Sequence, residues 1–384
     1  MRMQLQRSCS VQPKPEDKTA PIGGADGLEG SVMRKPIYLI ALAVPVALLA
    51  SCGDDEEPST DTGSEAPVSS VDELRTAVEG QSVIIGSSSF PNASITGAFK
   101  TVENLEEMFG VDVDFRLLDS DPLVAATISG QVDVGQLSLA GMVNANAAGA
   151  DFVAFGADDQ KNTFVVAAKA PIESLDEVRG EPFAVTQNLN QITGQTAQVC
   201  LQEEGMSLDD VQVLRLGNTG EATAAIASGQ AAAGISATFR LTQLQLDEGE
   251  DAYNILCRGW EANPQISSIW YAERSWVEDN PNLALAINIA SLESARWAQE
   301  DKQAWVDFAV ENVEGLTPEA AEVDYDTLVD ELDNWPVNGS MDQELMQNTL
   351  DISLEYEAIP EEVNLDDVST FEFQDQALEI LGEE

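Results

Sequence analysis

A short pattern occurs twice in this chain, and it constrains the fold more than any other feature of the sequence. Residues 125–135 read AATISGQVDVG and residues 224–234 read AAIASGQAAAG, so that Ser-Gly-Gln and the closing glycine coincide at an offset of 99 residues. Each copy predicts the end of a helix, a glycine in the left-handed conformation that closes it, and a short apolar strand. The repeat therefore predicts two lobes of one design. A chance match between two small-residue helix ends is the alternative.

Strands and helices alternate along most of the chain, which is typical of parallel α/β lobes. A strand is predicted at residues 82–86, a helix at 95–109 and a second strand at 111–118. The chain is predicted to cross between lobes near Lys169-Ala170 and again near Pro264-Gln265, and two crossings permit the lobes to close on a ligand. The predicted division is 71–169 for the first part of lobe 1, 170–264 for lobe 2, and 265–384 for the return to lobe 1 and the C-terminal helices.

The amino-terminal segment has the pattern of a secretory signal. A basic start at residues 33–35 (MRK) precedes an apolar run at 36–50, which is shorter than the roughly 20 residues that a membrane-spanning helix needs. The run ends in LASC, which resembles the bacterial lipobox, and this resemblance implies cleavage before Cys52 and lipidation of that residue. An uncleaved signal anchor is the alternative. The predicted segments are 1–32, a mis-assigned start ahead of Met33; 33–51, the signal peptide; and 52–70, a lipidated flexible tether.

The charge balance excludes several classes of partner. The chain has 68 acidic and 18 basic residues, a formal net charge of −50, so nucleic acid and anionic membrane surfaces are poor partners. It has no histidine, which removes the commonest general base and the commonest metal ligand. We therefore expect no metal and no cofactor. The acidity suits either a salty medium or an ordinary acidic envelope protein.

Two cysteines remain after the amino-terminal segment is set aside. Cys9 precedes the predicted mature chain and Cys52 is assigned to the lipid, which leaves Cys200 and Cys257. An even pair in an exported protein favours a disulfide, with two buried free thiols as the alternative.

Several short motifs together resemble one family. They are SVIIG at 82–86, ISGQVDVG at 128–135, SLDEVRG at 174–180, AIASGQ at 225–230 and WPVNG at 335–339. Over roughly residues 80–382 the chain resembles the solute-binding proteins of ABC importers, in the branch that handles nitrate, taurine, aliphatic sulfonates and thiamine-precursor pyrimidines. The resemblance implies a type II periplasmic-binding-protein fold with a two-strand hinge and a ligand cleft between α/β lobes. It also implies a lipid-anchored monomer on the outer face of the bacterial cell membrane, which delivers its ligand to a permease with a cytoplasmic ATPase.

The candidate ligand-binding residues lie in loops that follow predicted strands, where α/β folds bind ligands. Their alternatives are ordinary turns and helix caps, a surface ion pair for Arg240, and core packing for the aromatic residues. Ser138 and Ser236 are predicted to occupy equivalent places in the two lobes. The candidates are Ser88, Ser89, Phe90, Asn92 and Ser94 after the first strand; Ser138; Gln187, Asn188, Asn190 and Thr193 in the second lobe; and Ser236, Arg240 and Trp270.

The predicted function is capture of a small molecule by lobe closure, without chemistry on the ligand. An anion and a neutral pyrimidine-like heterocycle are both open. A receptor that signals to a membrane kinase is one alternative. A hydrolase that uses paired carboxylates is another, and the lack of acidic residues in the predicted cleft loops argues against it.

Overall fold

The computed structural model describes residues 68–88 and 92–384, which fall within one compact unit. The predicted start, signal peptide and lipidation site Cys52 lie outside the described residues, as do Ser89 and Phe90. Within the described ranges, no helix is both long enough and apolar enough to cross a membrane.

In the described part of the chain, ten strands form two five-stranded sheets. The strands are β1 (Ser82–Ser87), β2 (Asp112–Leu117), β3 (Val134–Leu137), β4 (Phe152–Ala157), β5 (Phe164–Lys169), β6 (Pro182–Thr186), β7 (Gln212–Leu216), β8 (Ala233–Ala237), β9 (Tyr253–Arg258) and β10 (Ile269–Glu273). The order is β2-β1-β3-β10-β4 in the first sheet and β7-β6-β8-β5-β9 in the second. We call the parts built on these sheets the first lobe and the second lobe.

The two sheets follow the same plan. In the first, β1 is parallel to β2 and β3, and β10 runs antiparallel between β3 and β4. In the second, β6 is parallel to β7 and β8, and β5 runs antiparallel between β8 and β9. The predictions of an α/β fold and of two lobes of one design are thus confirmed.

Helices cover the sheets and extend beyond them at the carboxyl end. They are α1 (Val71–Val78), α2 (Thr96–Phe109), α3 (Ser120–Ile128), α4 (Leu139–Ala147), α5 (Ile192–Glu203), α6 (Thr219–Ala227), α7 (Thr238–Glu248), α8 (Gly259–Ala262), α9 (Arg274–Asp279), α10 (Pro281–Glu300), α11 (Lys302–Asn312), α12 (Pro318–Tyr325), α13 (Gln343–Glu355), α14 (Leu365–Val368) and α15 (Glu372–Leu381). A π-helical turn, Asp326–Glu331, follows α12.

The repeated sequence forms the same structure twice. The Ser129 and Ser228 amides each bond to the carbonyl four residues earlier, at 3.1 and 3.0 Å, and so end α3 and α6. Gly130 and Gly229 follow with φ of 66° and 75°, a region that strains any residue with a side chain. The chain then enters β3 and β8, as the repeat predicts.

The core of the first lobe depends on its longest helix. α10 packs against α2 and α15, and its side chains Leu285 and Ile289 are at most 1% exposed. Proline at its first turn suits a helix start, because no intrahelical acceptor exists for that amide. Each such fully buried aliphatic side chain contributes about 1.5–3 kcal/mol.

The first crossing between lobes differs from the prediction. Val166 of β5 lies opposite Ile235 of β8, so β5 belongs to the second sheet. The chain therefore leaves the first sheet after Ala157 and enters the second at Phe164, and the crossing predicted near Lys169-Ala170 is wrong. β4 and β5 are both short apolar strands, and periodicity does not reveal which sheet a strand joins. The other predicted boundaries stay predictions.

A disulfide joins two elements of the second lobe. Cys200 on α5 and Cys257 on β9 have an S–S distance of 2.04 Å. Cys200 is fully buried in the apolar cluster of this lobe.

Candidate functional site

A cavity of about 510 Å³ lies where the two lobes meet, and we call it the inter-lobe cavity. Ser88, Ser120 and Ser138 line it from the first lobe, shortly after the carboxyl ends of β1, β2 and β3. Residue 188 and residues 190–193 line it from the second lobe, after β6, and Gln265 lines it from the return crossing. Parallel strands direct their carboxyl ends to one edge of a sheet, which explains the convergence. The volume suits a small ligand.

Three helices begin at the inter-lobe cavity. Ser120 belongs to the first turn of α3, Ala140 and Gly141 to that of α4, and Thr193 to that of α5. The first amides of a helix lack intrahelical acceptors, and the helix dipole places partial positive charge there. The cavity therefore offers backbone donors that favour an anion.

Ser138 is the N-cap of α4. Its Oγ accepts a hydrogen bond from the Gly141 amide at 3.2 Å, which leaves the hydroxyl proton for another acceptor. A side chain at Gly141 would lie 2.9 Å from Leu137 and 3.1 Å from this hydroxyl oxygen, so glycine permits the close turn. The serine hydroxyl group thus lies at the cavity with a donor available.

The second-lobe loop is held by its own polar side chains. Asn188 Oδ1 accepts from the Asn190 amide at 3.0 Å, and Gln195 Nε2 donates to the Asn190 carbonyl at 2.7 Å. A Cβ at Gly194 would overlap the backbone of Leu189, so the loop packs directly on the first turn of α5. These contacts fix the asparagine side chains beside the cavity.

Two hydrogen bonds connect the lobes across the inter-lobe cavity's edge. Asn190 Nδ2 donates to the Glu357 carbonyl at 3.2 Å, and the Tyr356 hydroxyl donates to Gln202 Oε1 at 3.0 Å. Glu357 has a φ of 55°, an uncommon conformation for a residue other than glycine. The lobes are in contact on this side of the site.

A polar chain runs from the inter-lobe cavity to the first crossing. The Ser88 hydroxyl donates to the Gln136 carbonyl at 3.3 Å, and the Ser87 hydroxyl donates to Gln136 Oε1. Gln136 Nε2 donates to Asp158 Oδ2 at 2.7 Å. The orientation of the Gln136 side chain is therefore determined by both neighbours.

Two adjacent carboxyl groups are buried at this crossing. Burial, helped by the nearby Asp159, raises the pKa of Asp158 well above its usual 3.8, while the Gln136 amide opposes the shift. Burial likewise raises the pKa of Asp159 to about 7, against contacts with Ser267 and Asn334 that lower it. The pair therefore holds protons at a pH where exposed aspartates are ionised.

Charged side chains are scarce in the cavity wall. Among the described residues that line it, Glu357 is the one with a charged side chain, and it is exposed. Hydroxyl and amide groups supply the remaining side-chain polarity. The wall suits an oxyanion held by neutral donors, or a neutral polar ligand.

The structure brings some predicted site residues together and separates others. Gln187 is exposed, and its carbonyl accepts from Arg215 Nη1 at 3.2 Å. Asn92 and Arg240 line a different cavity, and Ser94 donates to Asn92 Oδ1 at 2.7 Å instead of capping α2. The candidates that line the inter-lobe cavity are Ser88, Ser138, Asn188, Asn190 and Thr193.

Two candidates lie in the protein interior. Ser236 is fully buried within β8 and bonds to the Thr223 hydroxyl at 2.8 Å. At the constant offset of the repeat, the equivalent of Ser138 is Ala237, so the predicted equivalence is wrong by one residue. In a strand, a shift of one residue moves the side chain to the opposite face of the sheet. Trp270 is fully buried in the first-lobe core, and its Nε1 donates to Ser291 Oγ at 3.1 Å.

Several cavity residues were not predicted. Gln265 and Ser267 belong to the return crossing, which the sequence predicts near Pro264-Gln265, and their polar side chains beside that crossing are the signal that could have identified them. Ser353 and Glu357 come from α13 and the turn after it, and no local sequence signal connects them to the site. The unpredicted polar residues are Ser120, Asn144, Gln195, Gln265, Ser267, Ser268, Ser353 and Glu357.

Solved structures with the same fold include both binding proteins and an enzyme. A putative periplasmic sulfonate-binding protein SsuA from Methylobacillus flagellatus is 18% identical with a TM-score of 0.61, over 78% of this chain and 95% of that chain. The alkanesulfonate-binding protein SsuA from Xanthomonas axonopodis, bound to MOPS, is 17% identical with a TM-score of 0.58, over 77% and 99%. The desulfurization enzyme DszB is 15% identical with a TM-score of 0.56, over 77% and 99%. The predicted periplasmic-binding-protein fold is confirmed.

Sequence comparison assigns the family. No curated protein sequence matches this chain. Residues 83–303, more than half of the 384 residues, match the family described as ABC transporter, phosphonate, periplasmic substrate-binding protein. The predicted resemblance to solute-binding proteins of ABC importers is confirmed, and the chain belongs to this family of periplasmic substrate-binding proteins.

Proposed function

We propose that this protein captures a small phosphonate- or sulfonate-like oxyanion in the inter-lobe cavity and delivers it to an ABC permease with a cytoplasmic ATPase. The family supports an extracytoplasmic substrate-binding component of an importer. The ligand class is supported by the family description and by the sulfonate-binding proteins of the same fold. The observation that carries the proposal is the meeting of three helix amino termini at one polar cavity.

Helix amino termini suit an oxyanion because its oxygens accept several hydrogen bonds at once. Backbone amides of α3, α4 and α5 supply donors, and the hydroxyl groups of Ser88 and Ser138 add more. Hydrogen bonds to a charged acceptor each contribute about 1.5–3 kcal/mol. A few such bonds stabilise an anion without a basic side chain. The proposed ligand residues are Ser88, Ser138, Asn188, Asn190 and Thr193.

We propose capture by lobe closure because the hydrogen-bond donors come from both lobes. Ser88 and Ser138 belong to the first lobe, whereas Asn188 and Thr193 belong to the second. A ligand that contacts all of them stabilises the closed arrangement over an open one. The bond from Asn190 to the Glu357 carbonyl adds to closure on the protein side.

The protein is proposed to do no chemistry on its ligand. The family is one of substrate-binding proteins, and the likeness to DszB concerns the fold. The described cavity wall offers hydroxyl and amide groups and the single exposed carboxylate of Glu357. Binding needs no more than these groups.

Membrane attachment is proposed to depend on lipidation of Cys52, in a protein that acts as a monomer. The support is the apolar segment followed by LASC at residues 49–52. We expect Cys52→Ser to move the protein from the membrane fraction to the soluble fraction. Retention of this variant in the membrane fraction would contradict the lipid anchor.

Ligand binding is tested by thermal unfolding and calorimetry on the full-length protein in detergent, after unfolding and refolding to remove carried ligand. The panel is methylphosphonate, ethanesulfonate, MOPS, nitrate and a pyrimidine. At about 100 times its dissociation constant a ligand stabilises by about 2.7 kcal/mol. We expect the phosphonate or the sulfonates to raise the midpoint and the pyrimidine to have no effect.

Two matched serine variants assign the site. Ser138 and Ser70 both cap helices, accepting amide bonds at 3.2 and 3.3 Å, but only Ser138 lines the cavity. Each change to alanine costs about 1 kcal/mol of stability. Ser138→Ala should also weaken oxyanion binding about tenfold, whereas Ser70→Ala should leave it unchanged. Equal affinities in the two variants, or no binding of any oxyanion in the panel, would refute the proposal.

A further inference from the structure

A second cavity, of about 360 Å³, lies between the second lobe and the C-terminal helices, and we call it the helix-lined cavity. It is lined by residues of α6 and α7 on one side, by α12 and the turn before it on the other, and by Asn92 and Ala93 of the first lobe. It shares no described lining residue with the inter-lobe cavity.

Arg240 supplies a cationic group to the helix-lined cavity. Its Nε is buried and has no hydrogen-bond partner among the described residues. A Cβ at Gly220 would lie 3.2 Å from its Cζ, so this glycine makes room for the guanidinium group. Several other basic residues of this acidic chain pair with carboxylates, as Arg258 does with Glu331 and Arg274 with Asp151. Arg240 forms no such pair within the described ranges, although the chain has 68 acidic residues.

The amino terminus of α6 reaches the same place. This helix has nine residues, and its N-cap Asn218 accepts from the Glu221 amide at 3.0 Å. The Thr219 and Gly220 amides have no intrahelical acceptor, because they open the helix. Gly220 lines the cavity directly beside the Arg240 guanidinium group. This end of the cavity therefore combines a guanidinium group with a helix amino terminus, and both favour an anion.

Asp324 supplies an acidic group to the cavity. It is 2% exposed, and its Oδ2 has no hydrogen-bond partner among the described residues. Burial raises its pKa to about 7, and a contact with the Thr242 hydroxyl acts against that shift. Glu314 also lines the cavity, so acidic groups are present on the side formed by the C-terminal helices.

Arg240 and Asp324 line one cavity without pairing with each other. Buried carboxyl and guanidinium atoms without hydrogen-bond partners destabilise the folded protein, and a ligand that bonds to these atoms removes the cost. We propose that the helix-lined cavity is a second binding site, for a small zwitterion whose oxyanion contacts Arg240 and the α6 amino terminus and whose ammonium group contacts Asp324. Because α7 belongs to the second lobe and α12 to the C-terminal helices, this ligand also bridges the two parts.

The test compares three related probes on the full-length protein by isothermal titration calorimetry. The probes are 2-aminoethanesulfonate, ethanesulfonate, which lacks the ammonium group, and ethylamine, which lacks the oxyanion. We expect 2-aminoethanesulfonate to occupy one more site than ethanesulfonate, and ethylamine not to bind. This comparison requires no substitution and therefore does not depend on any variant folding.

Substitutions assign the extra site. Arg240→Gln and Asp324→Asn remove charge at nearly constant size, and each should weaken the extra site about tenfold to a hundredfold. Ser138→Ala should weaken only the inter-lobe site. Arg215→Gln is the matched control, because this second-lobe arginine donates to a backbone carbonyl and does not line the cavity. Circular dichroism melts of each variant establish that it is folded.

The outcomes separate this inference from the proposed function. If no oxyanion of the earlier panel binds, ethanesulfonate included, but 2-aminoethanesulfonate binds in a manner sensitive to Arg240→Gln and Asp324→Asn, the zwitterion site stands and the inter-lobe proposal fails. Equal stoichiometry for 2-aminoethanesulfonate and ethanesulfonate overturns the zwitterion site. Binding that is unchanged in folded Arg240→Gln and Asp324→Asn, or ethylamine binding as tight as that of the zwitterion, also overturns it.

Discussion

The carboxyl group of Asp159 should make the protein less stable as the pH rises, and Asp159→Asn should remove this effect. The side chain is 7% exposed at the first crossing, and burial raises its pKa to about 7 from the usual 3.8. In the unfolded chain the group ionises near pH 4, whereas in the folded protein it keeps its proton to about pH 7. The unfolded state therefore binds fewer protons between these values, and stability falls across that window.

The magnitude follows from the two pKa values. Each pH unit in the window costs 1.36 kcal/mol, so the interval from 3.8 to about 7 corresponds to about 4 kcal/mol. Asparagine has nearly the shape of the protonated acid and does not ionise. We expect Asp159→Asn to be close to wild type in stability at pH 4 and more stable by up to about 4 kcal/mol at pH 8.

The assay is urea unfolding followed by circular dichroism at pH 4, 6 and 8, at constant ionic strength. Asp114→Asn is the control, because this exposed acid pairs with Arg116 on the surface of β2. Such a pair contributes about 1 kcal/mol or less. The comparison between variant and wild type cancels the titration of carboxyl groups remote from Asp159, whereas the pKa of the neighbouring Asp158 is itself raised partly by Asp159.

A difference in unfolding free energy that does not change with pH would refute the reasoning, since a buried carboxyl group with a raised pKa must produce a slope. An asparagine variant that is less stable than wild type at pH 8 would also refute it. That result would mean that an ionised Asp159 makes contacts that stabilise the folded state.

Two further predictions concern the second lobe. Replacing both Cys200 and Cys257 by alanine should lower the unfolding free energy by about 4 kcal/mol, because the disulfide closes a loop with a sequence separation of 57 residues. Wild-type protein with reductant should have the same urea midpoint as the double variant. An unchanged urea midpoint in the double variant would contradict the prediction. Gly194→Ala should cost about 1–3 kcal/mol because its Cβ overlaps the Leu189 backbone. It should also weaken oxyanion binding by displacing Asn188 and Asn190, and calorimetry that shows wild-type affinity would contradict the proposed role of this loop.

The sequence predicts the lobes well, because their design depends on local interactions. A glycine at positive φ after each Ser-Gly-Gln helix end leaves a signal in the sequence wherever it occurs. The strand at residues 82–86 and the helix that ends at Phe109 are also predicted from local sequence patterns. Which sheet β5 joins depends instead on pairing with β8 and β9, and local periodicity does not contain that information.

The site is harder to predict, because a one-residue shift or a distant segment changes it. Ser236 differs from Ala237 by one position, yet it points into the lobe and bonds to Thr223. Trp270 lies on a strand that pairs with a neighbouring strand on each side, and its ring is buried in the core of the first lobe. Glu357 reaches the cavity only because the C-terminal helices fold back against the second lobe.

The acidic composition gives a physical reason for a site without basic side chains. In a chain of net charge −50, a lysine or arginine meets carboxylates readily, as Lys169 does with Glu248. A cation in the cleft would then be neutralised before the ligand arrives. Backbone amides at helix amino termini carry only partial charge, and the caps of α4 and α5, Ser138 and Gln191, are neutral, whereas the N-cap of α3 is Asp119. Charges more than about 8 Å away are largely screened at physiological salt. Under the proposed function, selectivity for an oxyanion therefore depends on the geometry of nearby hydrogen-bond donors. The negative net charge does not prevent binding, because most of the acidic residues are too far from the cavity to act on the ligand.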